Sequence, residues 1–172
     1  MAVKAINKTA AVAVALSGLL LAGSAWARSS DRNQPIDISA DAGVMEQAAG
    51  KPSIVTGNVV ITQGSLVINS SKGTVYSNDG DVSRVILTGS PVRLQQTQDN
   101  GDPLTVNASQ ADYNLNTDIV VLTGNVRISQ PSGNLSAPSA TYNMSTGRFV
   151  SQASSTGGRV KMRFVPKSKR GG

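Results

Sequence analysis

Val106-Asn107-Ala108-Ser109-Gln110-Ala111-Asp112-Tyr113, then a polar gap, then Ile119-Val120-Val121-Leu122-Thr123-Gly124-Asn125-Val126: this phrase, in looser form, is written four times along the chain. Its first half returns as Ile38-Ser39-Ala40-Asp41-Ala42-Gly43-Val44-Met45, as Ile68-Asn69-Ser70-Ser71-Lys72-Gly73-Thr74-Val75 and as Leu135-Ser136-Ala137-Pro138-Ser139-Ala140-Thr141-Tyr142. The copies start 30, 38 and 29 residues apart, and each is followed by a Thr-Gly pair, at Thr56, Thr88, Thr123 and Thr156. A period near 30 residues marks a repeat architecture, in which one unit cannot bury its apolar face alone and neighbours share a core.

Working outward, the flanking segments alternate apolar and polar residues, the period of a half-buried strand. Ile36-Asp37-Ile38, opened by Pro35, is one; Val126-Arg127-Ile128 is another. The long polar tip Gln95–Asp102 accounts for the stretched 38-residue spacing. A Gly inside a strand pattern signals a bulge or bend, so Thr-Gly pairs at matching places predict a sheet that bends at the same point in each repeat. Phe149-Val150 leads into a loose stretch, Ser151–Gly158, and Val160, Met162 and Phe164 alternate with basic residues as one last strand. Nothing after Arg28 has a helical period. The chain reads as all-β, with a sandwich, a jelly roll and a short solenoid all compatible with the pattern.

Residues 1–27 carry Lys4 and Lys8, an apolar run from Thr9 to Ala22 and the small-x-small site Ala25-Trp26-Ala27, the form of a cleaved secretory signal peptide. The run is shorter than the roughly 20 apolar residues a spanning helix needs. The expected organisation is therefore a signal peptide (1–27), one β domain (28–166) and a disordered basic tail (167–172), delivered to the periplasm. Export without any Cys suits that compartment, where the core alone must carry stability. Ser29–Gln34 is polar and expected to be mobile.

The formal charge is +6, yet from Arg28 to Gly158 there are eight basic residues against ten acidic ones. The positive excess is largely terminal, in Arg159, Lys161, Arg163, Lys167, Lys169 and Arg170. Such a cluster suits an anionic lipid or partner, and equally it protects an edge strand from aggregation. Export argues against nucleic acid. With no His and no Cys, the usual metal sites and most catalytic triads are excluded. Asp79, Asp81, Asp99 and Asp102 sit in turn signals, and Asp37 and Asp112 take outward positions, so the acids read as solvated residues rather than a catalytic pair. No enzyme and no cofactor is expected.

The inner face of the bent sheet would carry Ile36, Ile38, Val59, Ile61, Leu66, Ile68, Val92, Leu94, Leu104, Val106, Val126, Ile128 and Leu135. This row reads either as a closed core or as a groove for acyl chains. Two packed sheets leave a gap of about 10 Å, and a chain with two Phe and a single Trp, itself in the leader, fills it less readily.

Certain residues and their order also resemble the OstA-like family of periplasmic lipopolysaccharide-transport proteins. They are Gln34-Pro35-Ile36-Asp37-Ile38 after a signal peptide, Thr56-Gly57-Asn58-Val59 with Thr62-Gln63-Gly64, Gln98-Asp99-Asn100-Gly101, Ala108-Ser109-Gln110 with Tyr113, and Val120-Val121-Leu122-Thr123-Gly124-Asn125. The resemblance spans about Gln34 to Pro166. It implies an open β-jelly roll of two V-shaped sheets that binds the lipid A acyl chains of lipopolysaccharide in its apolar interior. It implies a bridge from inner to outer membrane that performs no chemistry. It implies head-to-tail self-association, an LptC-like inner-membrane partner and an LptD-like outer-membrane partner. By match, Ile36 and Ile38 line the lipid path near its entry. The strand of Ile36, Asp37 and Ile38 forms one docking edge, and that of Val160, Met162 and Phe164 the other. The short, strongly basic tail departs from the family pattern. The alternative is a self-polymerising structural β-repeat protein of the periplasm with no lipid ligand.

Overall fold

Alternation in the sequence becomes strand after strand in the computed structural model, which describes residues 31–46, 48, 50–153 and 158–166. The leader, the fourth Thr-Gly pair at Thr156 and the basic tail lie outside the described residues. Among the described residues, ten strands follow one 3-10 turn (Asp31–Asn33): β1 (Asp37–Ser39), β2 (Ala42–Val44), β3 (Ser53–Gln63), β4 (Leu66–Asn78), β5 (Asp81–Thr97), β6 (Pro103–Asn114), β7 (Ile119–Gln130), β8 (Gly133–Asn143), β9 (Arg148–Gln152) and β10 (Lys161–Phe164). They form one antiparallel sheet in the order β1-β3-β4-β5-β6-β7-β8-β10, with β2 also on β3 and β9 also on β8. The meander follows from its hairpins, since short turns join antiparallel neighbours.

Each long strand is broken near its middle. Between β3 and β4 the register jumps from Thr56↔Lys72 to Val59↔Ser70, so two residues of β3 oppose one of β4, which is a bulge. Here Gly57 and Asn58 both take positive φ, 75° and 43°, and Gly124 and Asn125 repeat this at 79° and 50°. Glycine enters that region freely and asparagine at small cost, so Thr-Gly-Asn is a bend written in sequence. At the third site Gly89 and Pro91 make the break differently, between Thr88 and Val92. Opposite halves of the strands break too, between Asn69 and Lys72 and between Asn107 and Gln110.

The bends fold the sheet into two layers joined along a spine. Layer A holds β1, residues 59–63, 66–70, 92–97, 103–108, 126–130 and 133–137, and β10. Layer B holds β2, residues 53–56, 72–78, 81–88, 110–114, 119–123 and 139–143, and β9. All hairpin turns lie at the far end of each arm from the spine, along the mouth of the V. This is the open jelly-roll form that the family resemblance implied, one of the three architectures compatible with the strand pattern.

Three expectations need correction. The loose stretch from Ser151 begins too early, because β9 pairs Arg148–Gln152 with Ser139–Asn143 and stacks Phe149 on Tyr142, with ring centroids 4.2 Å apart. The described part of the segment before Pro35, residues 31–34, is anchored: Asp31 is buried and accepts a hydrogen bond from Ser65 Oγ beside the tight turn at Gly64. Finally, Val160 stands outside the last strand, which is Lys161–Phe164.

Candidate functional site

Thirteen residues were expected to face inward, and the structure points all of them that way. Val59, Ile61, Leu66, Ile68, Val92, Leu94, Leu104, Val106, Val126 and Ile128 are buried, none more than 3% exposed. Ile36, Ile38 and Leu135 are half-buried and pack against them. Register carries the row across the layer: Ile38↔Ile61, Ile61↔Ile68, Ile68↔Leu94, Leu94↔Val106, Val106↔Ile128, Ile128↔Leu135 and Leu135↔Met162. An apolar stripe thus runs unbroken from one edge strand to the other, perpendicular to the strands.

These residues make only one wall. Layer B supplies the other, with Val75, Val85, Leu87, Ala111, Tyr113, Val120, Leu122, Ala140 and Tyr142 all buried. The sequence reading missed this wall because apolar residues also occur on the outer face of layer B. Ile86 and Val121 interrupt the alternation of Val85-Leu87 and Val120-Leu122, and Val121 is 42% exposed on the outside. Period two is legible only where the outer face is polar, as in layer A.

The two walls meet in one continuous buried cluster. Val, Ile, Leu and Ala fill the gap near the spine, where the V is narrow, so the expected shortage of bulk does not leave the walls apart. At the wide mouth two tyrosines span the opening. Tyr113 Oη of layer B donates to Gln63 Oε1 of layer A at 3.1 Å, and Tyr142 Oη donates to Gln96 Oε1 at 3.2 Å. Each bond joins strands three apart in the sheet order, so each is a tie between layers. Gln63 Nε2 also donates to the Gln34 carbonyl at 3.4 Å, tying in the N-terminal segment. Two mouth clefts flank these ties, one of about 520 Å³ beside Ile36, Gln63, Val82 and Tyr113, the other of about 290 Å³ beside Gln96, Asp99, Tyr142 and Met144.

Burial, reinforced by the nearby Asp99 charge, pushes the Tyr142 phenol up to about 12. The ordinary value is about 10. A group raised in the folded state contributes fully below its unfolded value and is lost as pH climbs to the folded one. The Tyr142 tie is therefore expected to be constant through neutral pH and to weaken between pH 10 and about 12. Denaturant unfolding across that range should show the loss, and Tyr142→Phe should remove it.

Among the described residues, both ends of both layers are open edges. At one end stand β1 and β2, with Val44 62% and Met45 82% exposed; at the other stand β9 and β10, with Met162 56% and Phe164 79% exposed. Ile38 and Asp37 of the expected N-terminal edge face inward and outward respectively, and Met162 of the C-terminal edge continues the inner row.

Comparison with known proteins gives a consistent picture. A family model described as "LptA/(LptD N-terminal domain) LPS transport protein" matches residues 37–148. The lipopolysaccharide export system protein LptA of Escherichia coli K12 is 36% identical over 163 residues, covering 93% of this chain and 87% of that protein. The Haemophilus influenzae protein of the same name is 34% identical over 131 residues, covering 73% and 74%. The crystal structure of Pseudomonas aeruginosa LptH, titled the LptA homologous periplasmic component of the lipopolysaccharide transport device, superposes with a TM-score of 0.70 at 23% identity. It covers 80% of this chain and 99% of that one.

Proposed function

The chain belongs to the LptA/(LptD N-terminal domain) lipopolysaccharide-transport family, and from that premise we propose that it is one unit of a periplasmic bridge that carries lipopolysaccharide between its two layers. The observation that carries this reading is the inner stripe from Ile38 to Met162, which is apolar throughout and opens at both edges. Hiding an acyl chain from water is worth about 0.8 kcal/mol per CH₂. A stripe of uniform character keeps that gain level along the path, so the lipid has no deep well in which to stall. Transport of this kind breaks no covalent bond and needs no cofactor or catalytic residue.

The open edges supply the assembly. Unpaired backbone groups on β1 and β2 can add to those of β9 and β10 in a second copy, extending both layers. A head-to-tail contact of that kind does not close on itself and builds a filament. An LptC-like protein would take the β1 and β2 end and an LptD-like protein the β9 and β10 end. Residues 1–27 would act as the cleaved export signal.

A second reading, a structural polymer without lipid, draws on the packed interior. Photocrosslinking to lipopolysaccharide separates the two. A probe at Ile38, half-buried opposite Ile61, should form adducts, and one at exposed Asp37 should not. Adducts at neither position, with the fold intact, would favour the structural polymer; equal adducts at both would mean surface association.

A further inference from the structure

Cations line up on the outside of layer A. Register sets Asn69, Arg93, Asn107, Arg127, Ser136 and Lys161 side by side on six neighbouring strands. Arg93, Arg127 and Lys161 fall on every second strand and are all exposed. Neighbouring strands lie about 4.8 Å apart, so successive cations are separated by roughly 9.6 Å. Amide and hydroxyl groups fill the places between them. No Asp or Glu occurs in the layer A segments from β3 to β10, and the three cations have no carboxylate partner among the described residues. Layer B differs, for there Arg84 is paired with Asp112.

From Asn107 to Lys161 the row lines a groove, and Arg93 stands one strand beyond that lining. An open cleft of about 890 Å³ and another of about 520 Å³ share Asn107, Asn125 and Arg127, and together they run along the spine from Pro91 to Lys161, with Arg159 in the lining. Protection of an edge strand accounts for a charge at Lys161. It does not account for Arg93 and Arg127, which stand on interior strands of the sheet.

We propose that this groove binds a polyanionic saccharide, a sugar chain bearing phosphate, sulfate or carboxylate groups spaced by about two strand widths. Arginine offers a planar fork that matches such anions, and lysine a point charge. Asn and Ser can both donate to and accept from sugar hydroxyls. A single phosphate reaches only one cation of the row, so the spacing selects a ligand with several charges. A chain can lie in the groove and reach Asn107, Asn125, Asn134 and Ser136 in its lining, whereas a flat membrane surface cannot. Arg93, Arg127 and Lys161 point to the opposite face of layer A from the inward Leu94, Ile128 and Met162, so the proposal does not depend on the interior carrying lipid.

The test is titration of the purified protein with a heparin-derived octasaccharide. The variant R93Q/R127Q/K161Q should lose affinity at least about tenfold. Two control variants should change by less than twofold: K72Q/R148Q, on the outer face of layer B, and K167Q/K169Q/R170Q, in the terminal tail. A neutral dextran oligomer should not bind, and inorganic phosphate should compete only weakly. Equal losses in either control would reduce the effect to charge count and overturn the proposal. So would unchanged binding in the triple groove variant, or binding of that face to phosphatidylglycerol vesicles but not to the octasaccharide.

Discussion

Gly133→Ala should detach β10 and leave the remaining sheet standing. Gly133 has φ 148°, and a Cβ there would lie 2.0 Å from the carbonyl oxygen of Arg163. The obstacle is the backbone of β10 itself, which has no flexible end to swing aside. β10 makes four register pairs to β8, from Lys161↔Ser136 to Phe164↔Gly133, and Val165 N donates to the Ser132 carbonyl at 2.9 Å. Met162 and Phe164 are mostly exposed, so little apolar burial opposes release. Hydrogen exchange should show protection lost at 161–164 and kept in β4 to β7, with a global cost of about 1–3 kcal/mol. The larger effect falls on assembly. With β10 gone, the layer A edge at that end is no longer the one a second copy would meet, and sedimentation should show filaments replaced by monomers or short oligomers. Filaments of unchanged length would remove β10 from the contact.

Removing the two mouth ties should weaken the fold and tighten lipid binding. Tyr113→Phe with Tyr142→Phe deletes both hydroxyls that join the layers and keeps both rings, including the stack of Tyr142 on Phe149. A hydrogen bond contributes about 1 kcal/mol net, so the pair stands for about 2 kcal/mol of the closed form. Acyl chains must part walls that now touch. If they bind the parted form, every interaction made only when closed is a cost to binding. Apparent affinity scales with the fraction of protein that is competent to bind. Two kilocalories correspond to a gain of roughly 30-fold. Denaturant unfolding and titration with a fluorescent lipopolysaccharide check the two halves separately. Wild-type protein that binds, with a variant that binds more weakly, would make the hydroxyls lipid contacts or plain struts. Wild-type protein that fails to bind would remove the interior lipid path itself.

The layer A wall was readable because its outer face is polar: Asn69, Arg93, Asn107 and Arg127 alternate with Ile68, Leu94, Val106 and Ile128. Layer B hid behind Ile86 and Val121, whose outward side chains erase the alternation. The strand at Arg148–Gln152 was passed over because its apolar content is only Phe149-Val150, and its partner is supplied by β8. Tyr113 was noticed as part of a motif, but nothing local shows that its hydroxyl reaches Gln63, fifty positions earlier.

Local chemistry by itself determined the strands, the bends at Thr-Gly-Asn and which side chains of layer A point inward. Those properties depend on a residue and its nearest neighbours, through backbone preference and a side-chain period of two. Only the tertiary structure decided which arms face each other across the V, where Tyr113 and Tyr142 tie the mouth, and that Arg93, Arg127 and Lys161 share one row. Each of these is a relation between residues far apart in sequence. Register sets it, and register is fixed by the bulges and turns of every intervening strand together.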